Sequence, residues 1–154
     1  SAGGQLTMAT ALGARSDGLP LPDSMLLMSP VLDLTCELAR ARELRRRDPF
    51  ASARSAARAL DLYVAGADHR NERLSVLDAD LRSMPPILIQ VGGREMLIDD
   101  SRHLADRLRS AGSSVEIQVY RGQIHVFQAM FRILPEAREA IHRAGNFLKA
   151  SGHR

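Results

Sequence analysis

The apolar positions of this chain fall into short unbroken runs and longer stretches with a helical period. Pro86-Ile87-Leu88-Ile89-Gln90-Val91 is a nearly continuous apolar run, bounded by Pro85-Pro86 before it and Gly92-Gly93 after it. A strand buried on both faces of a parallel sheet has this pattern. Ser24-Met25-Leu26-Leu27-Met28-Ser29-Pro30 predicts a second buried strand, closed by its proline. Val115-Glu116-Ile117-Gln118-Val119-Tyr120 alternates and predicts a third, more exposed and nearer a sheet edge. Helical spacing predicts helices over 1–14, 35–47, 51–64 and 101–111, and a last one from Pro135. Asp99 or Asp100 is read as capping the fourth helix and Gly112 as stopping it. Ala137, Ala140, Ile141, Ala144, Phe147 and Leu148 mark the apolar face of the last.

Strands alternating with helices predict an α/β fold with a parallel sheet covered by helices. Three strands make a meagre sheet, and the chain opens on a helix. The expectation is one partial domain over residues 1–154, the second half of a larger one, with 35–85 a helical and irregular insertion between strands. With earlier strands missing, the chain alone is expected to be inactive and aggregation-prone.

Composition narrows the function classes. Nothing approaches the roughly 18 consecutive apolar residues of a membrane span. The single cysteine, Cys36, excludes an internal disulfide and argues against a cysteine-rich metal site. The net charge is +3, and a basic balance invites a nucleic-acid reading. Aromatic content of 4% leaves no stacking platforms, however, and the arginines are scattered apart from one cluster, so no nucleic-acid partner is expected. Targeting cannot be read from a chain that starts at Ser1; a cytoplasmic location is favoured.

Chemistry concentrates where strands end. Glu95 follows the Gly-Gly turn and His125 follows the third strand, so adjacent parallel strands would deliver both to one carboxyl edge, where α/β sites lie. A carboxylate beside an imidazole orients the ring and stabilises its charged form. Spacing alone leaves open that both are ordinary loop residues. Ser1-Ala2-Gly3 matches the trailing half of a G-x-S-x-G nucleophile elbow. There the backbone N–H of Ala2 would serve an oxyanion hole. The order serine, acid, histidine, each after a strand, is that of the α/β-hydrolase arrangement.

On these residues the chain resembles the hormone-sensitive-lipase-like esterases, the fold-3 group of α/β-hydrolases. Ser1-Ala2-Gly3-Gly4 is similar to the nucleophile segment, and Ser29-Pro30-Val31-Leu32-Asp33-Leu34-Thr35 to the segment after the sixth strand. Residues 85–92 with Glu95-Met96-Leu97-Ile98-Asp99-Asp100 resemble the acid motif, and Gly122-Gln123-Ile124-His125-Val126-Phe127 the histidine motif. The resemblance implies the C-terminal part of an α/β-hydrolase fold. It implies a serine carboxylester hydrolase with Ser1 as nucleophile, His125 as base and Glu95 as orienting acid. The substrate would be a small ester, and no cofactor or metal is implied. Many members carry aspartate where Glu95 stands, so Asp99 is the fallback acid. The family's His-Gly-Gly oxyanion loop is not among these residues, and the helices over 36–64 resemble the region that walls its acyl pocket.

Other readings stand beside this one. The catalytic end of a prolyl-oligopeptidase-like peptidase would share the fold, but those enzymes usually place a bulky aromatic where Ala2 stands. A non-catalytic fragment or interaction module is a further alternative. Ser1 as an amino-terminal nucleophile would leave His125 idle. Arg40, Arg42 and Arg45–Arg47 read as a solvated helix face rather than an anion site. His103, His142 and His153 read as surface residues, and His69 has no partner at metal-ligand spacing. Cys36 reads as a small apolar filler.

Overall fold

A computed structural model describes residues 1–68 and 74–152. His69 and His153 lie outside the described residues. Three parallel strands, β1 (Met25–Met28), β2 (Ile87–Gly92) and β3 (Val115–Tyr120), form a sheet in the order β1-β2-β3. Met25 pairs with Ile87 and Ile87 with Val115, so the strands start in register; β2 and β3 end level at Gly92 and Tyr120, and β1 stops two residues sooner, at Met28 opposite Gln90. Among the described residues five α-helices flank or connect them: α1 (Ala2–Ser16), α2 (Glu37–Arg45), α3 (Ala53–Val64), α4 (Ile98–Ser110) and α5 (Pro135–Ser151).

The central strand explains the packing. All six residues of β2 are buried, as its apolar run requires. Ile87 and Ile89 enter one core with Met8 of α1, Met25 and Leu27 of β1, and Leu104 and Leu108 of α4. On the other face Gln90 interrupts the apolar run, and its buried amide is satisfied there. It donates to the Ala140 carbonyl of α5 at 2.7 Å and to Gln118 Oε1 of β3 at 3.0 Å. An unpartnered amide at this depth would cost about 1–3 kcal/mol. A second core, including Val31, Leu34, Cys36, Leu60, Met96 and Leu97, joins α2 and α3 to the segment after β2.

Several expectations are corrected. β1 stops at Met28 because Ser29 turns into the left-handed region at φ 45°. Helix α2 ends at Arg45, two residues early, where Arg46 becomes extended. Helix α3 begins at Ala53 because Ser52 and Ser55 form a capping box. Helix α4 starts at Ile98 with Leu97 as its N-cap and no side-chain cap bond, so neither Asp99 nor Asp100 caps it. The segment after His125 contains a 3₁₀ turn over Phe127–Met130, anchored by the fully buried Phe127. On α5, Ala137, Ala140 and Ala144 are buried while Ile141 and Leu148 are about two-fifths exposed, at 40% and 42%. The apolar stripe is therefore narrower than the sequence suggests.

Candidate active site

Because the three strands are parallel, the residues that follow them gather at one edge of the sheet. Ser29 follows β1, Glu95 lies in the turn after β2, and His125 lies beyond β3. The Glu95 carboxylate is fully buried, at 0% exposure, and its Oε2 lies 2.7 Å from His125 Nδ1. Its Oε1 accepts the Ser29 hydroxyl at 2.8 Å and the Gly92 backbone N–H at 2.5 Å. Both carboxylate oxygens are thus engaged, one by the imidazole and one by two neutral donors. Ser29 also accepts the Val126 N–H at 3.2 Å, so one hydroxyl braces both the acid and the backbone beside the histidine.

The glycine before the acid has a steric reason. A Cβ on Gly92 would stand 2.6 Å from the carbonyl oxygens of both Gln123 and Ile124. Only glycine lets the histidine loop lie against the end of β2. In the helix that starts after Ser1, Gly4 meets the loop after β1 closely. A Cβ on Gly4 would meet Pro30 Cβ at 2.6 Å, while one on Gly3 meets nothing within 4 Å among the described residues.

Ser1 is the N-cap of α1 and makes no side-chain capping bond. Its carbonyl accepts the N–H groups of Gly4 at 3.0 Å and Val31 at 3.3 Å, tying the serine to the loop after β1. Ala2 occupies the first helical position, where a backbone N–H has no acceptor within the helix. Ser1, Ala2 and His125 line one cavity of about 340 Å³. Its wall is mainly apolar, with Val31, Leu34, Leu60, Met96 and Leu97, and helix α3 contributes Ala56, Ala59 and Tyr63. The Tyr63 hydroxyl donates to Gln5 Oε1 at 2.9 Å, linking α3 to the helix that begins after Ser1.

Asp99 is not at His125. It forms ion pairs with Arg45 at 3.2 Å and Arg102 at 3.1 Å. Asp100 points the other way: its Oδ2 accepts the Leu32 and Asp33 N–H groups at 2.8 and 3.0 Å. Burial, with a smaller contribution from nearby Asp33, raises its carboxyl to about 7. Of the arginines of α2, Arg40 and Arg45 are exposed, as a solvated face requires, and Arg42 alone departs from it. Arg42 is half-buried and donates to the Gly93 carbonyl at 3.3 Å, so part of the helix clasps the turn before Glu95. His103 and His142 are exposed. Cys36 is buried, and desolvation followed by the charge of Asp33 pushes its thiol up to about 11, which makes it unreactive.

Sequence reading passed over three residues of this region: Ser29, Asp48 and Phe50. Asp48 is buried and accepts the Met96 N–H at 2.8 Å and the Phe50 N–H at 2.7 Å. The Phe50 ring lies 5.5 Å from the His125 ring, centroid to centroid, tilted by 36°. Asp48-Pro49 in sequence signals only a helix stop, and Ser29-Pro30 only a strand end. The cues to Ser29 were that it follows a predicted strand and opens the segment that resembles the family's.

The sheet order, the serine at a helix start and the buried acid–histidine pair define an α/β-hydrolase architecture. The profile of a family described as alpha/beta hydrolase fold matches residues 1–129, and the chain belongs to that family. It is 36% identical over 151 residues to a protein named acetyl-hydrolase from Streptomyces hygroscopicus, covering 98% of this chain and 50% of that protein. It is 30% identical to an esterase of Acinetobacter venetianus, over 96% of this chain and 49% of the esterase. Among solved structures, an esterase from the bacterial hormone-sensitive lipase family superposes with a TM-score of 0.92 at 36% identity. That match covers 98% of this chain and 51% of the other. The chain spans about half the length of the curated relatives it matches.

Proposed function

We propose that this chain carries the nucleophile, base and acid of a serine carboxylester hydrolase, Ser1, His125 and Glu95. The observation that carries the reading is the 2.7 Å bond from the fully buried Glu95 to His125, on a cavity that Ser1 also lines. The relatives named esterase and acetyl-hydrolase support the same class.

In this reading Ser1 Oγ bonds to the ester carbonyl carbon while its proton passes to His125 Nε2. Glu95 accepts the Nδ1–H, which fixes the tautomer and offsets the imidazolium charge. The Ala2 N–H donates to the carbonyl oxygen as it becomes an oxyanion. Collapse breaks the ester C–O bond, and the departing alkoxide takes the proton from His125. Water then attacks the acyl-enzyme by the same route, releasing the acid and restoring Ser1. The apolar wall built from Val31, Leu34, Leu60 and α3 suits an acyl group better than a charged one. Residues of the 35–85 insertion thereby serve as an acyl-pocket wall.

Ala2 supplies one oxyanion donor, and α/β-hydrolases draw a second from a loop that precedes the nucleophile. The 154 residues by themselves are therefore expected to turn over no ester. Steady hydrolysis of p-nitrophenyl butyrate by the purified 154-residue chain contradicts that part.

The deciding experiment treats the protein that carries this chain with diethyl p-nitrophenyl phosphate and maps the adduct by mass spectrometry. A single diethylphosphoryl group on Ser1, with ester turnover lost in step, is expected. Modification elsewhere with Ser1 untouched rejects the assignment.

A further inference from the structure

We propose that Asp48 is a positioning residue that couples the turn holding Glu95 to the aromatic side chain against His125. The inference rests on the reading of Glu95 and His125 as acid and base. Asp48 lies in the connection between α2 and α3, is 4% exposed, and directs its two oxygens to different segments. Oδ2 accepts the N–H of Met96, the residue after Glu95, at 2.8 Å. Oδ1 accepts the N–H of Phe50 at 2.7 Å and that of Ala51 at 3.4 Å.

One buried carboxylate thus fixes two backbones, each one step from the site. On the first, Met96 and Leu97 are buried and line the cavity beside Glu95. On the second, Phe50 is 63% exposed yet lies 5.5 Å from the His125 ring. An exposed aromatic on a short connection has little packing of its own to hold it. Its orientation depends on the backbone bonds to Asp48. The chemistry suits a carboxylate and no isostere: three backbone N–H groups converge, and an ionised acid is acceptor-only. Asparagine in its place turns an NH₂ toward either Met96 or Phe50, setting donor against donor. One of the two connections must then open.

The unmodified protein is tested first. Amide hydrogen exchange should show the Phe50 and Met96 N–H groups protected by about a hundredfold or more over an unstructured chain. Exchange of either at the unstructured rate overturns the proposal, and this measurement stands even where a variant fails to fold. Turnover of p-nitrophenyl butyrate is then compared for Asp48→Asn, Phe50→Leu and the double variant in the protein that carries this chain. Asp48→Asn should lower kcat by about ten- to a hundredfold, the scale of a sub-ångström to ångström misplacement, with KM nearly unchanged. Phe50→Leu should lower it by only about threefold. The double variant should match Asp48→Asn within about twofold, because the two residues act through one connection.

The proton between His125 Nδ1 and Glu95 supplies a readout that a merely structural role would not move. Its downfield proton resonance should stay in Phe50→Leu and broaden or shift in folded Asp48→Asn. Unchanged kcat and resonance in folded Asp48→Asn, or single-variant losses that simply multiply, overturn the proposal. Glu95→Gln run in parallel separates the two levels. If it keeps full activity, the reading of the site itself has failed. If it is inactive while Asp48→Asn is unaffected, only the role of Asp48 has.

Discussion

Glu95 and Asp100 are two carboxylates of one turn-and-helix segment, both removed from water, yet their surroundings differ in kind. Glu95 is 0% exposed and has a partner on each oxygen: His125 on one, Ser29 and Gly92 on the other. Asp100 is 1% exposed, and its Oδ2 holds two backbone N–H groups while its Oδ1 has no hydrogen-bond partner among the described residues. Desolvation is common to both and decides neither role. The difference is a polarisable base within reach. Glu95 is presented to an imidazole that lines a cavity, whereas Asp100 faces the loop after β1 and pins it. A buried acid becomes chemically useful when the group it touches can carry a proton to substrate; at Asp100 burial instead raises the carboxyl's pKa.

The largest expected effect tests the Glu95 side of that contrast. Glu95→Gln keeps the shape but offers an amide to His125, so kcat for p-nitrophenyl butyrate should fall by about 10³- to 10⁴-fold while the circular dichroism spectrum is unchanged. Retained turnover would erase the distinction between the two acids. Next in size is Ser29→Ala. It removes one donor to Glu95 and leaves the Val126 N–H without its acceptor at a partly buried position. The expected costs are about 1–3 kcal/mol of unfolding free energy by urea titration and roughly tenfold in kcat. A variant as stable and active as the parent would mean that Glu95 is held by Gly92 and His125 alone.

The Asp100 side is sharpened by pH. Its folded pKa is raised to about 7, so the folded state binds its proton more tightly than the unfolded chain. Stability from this group is full below the ordinary carboxylate range near 4, declines as pH rises from there, and levels off above about 7. Between pH 5 and 8 the parent should lose on the order of 2 kcal/mol relative to Asp100→Asn in paired denaturation curves. Parallel curves would show that its two backbone donors keep Asp100 ionised throughout. The smallest effect belongs to Asp99, whose ion pairs with Arg45 and Arg102 involve mostly exposed guanidinium groups. Asp99→Asn should cost less than about 1 kcal/mol and leave turnover intact. A loss to match that of Glu95→Gln would make Asp99 the acid instead.

The sequence carried much of the scaffold. The run up to Val91 read as a doubly buried strand because an apolar run between prolines and glycines has few other uses; the strand extends one residue further, to Gly92, and all six of its residues are buried. Val115–Tyr120 read as a strand from its alternation alone, with the bounds the structure has. Helix ends were less legible because capping is a matter of single bonds. Ser52 caps α3, yet Asp99 and Asp100, equally good capping residues, face tertiary partners instead. The site was legible in part. Glu95 and His125 stood out because each comes after a strand, and parallel strands ending level place their next loops on one edge.

Local periodicity and turn chemistry act between neighbours in the chain, and those are what sequence alone determined here: a parallel α/β sheet, its order of elements, and acid and histidine candidates at strand ends. The tertiary structure decided which polar residues serve which purpose. Ser29 and Asp48 have no spacing that marks them, since each takes its role from bonds to segments distant in sequence. The same holds for Asp100, whose partners Leu32 and Asp33 lie beyond the sheet connection. A carboxylate in a short stretch of sequence shows only that a charge is present. Its depth and its donors, set by the folded chain, decide whether it orients a histidine, pins a loop or pairs with an arginine at the surface.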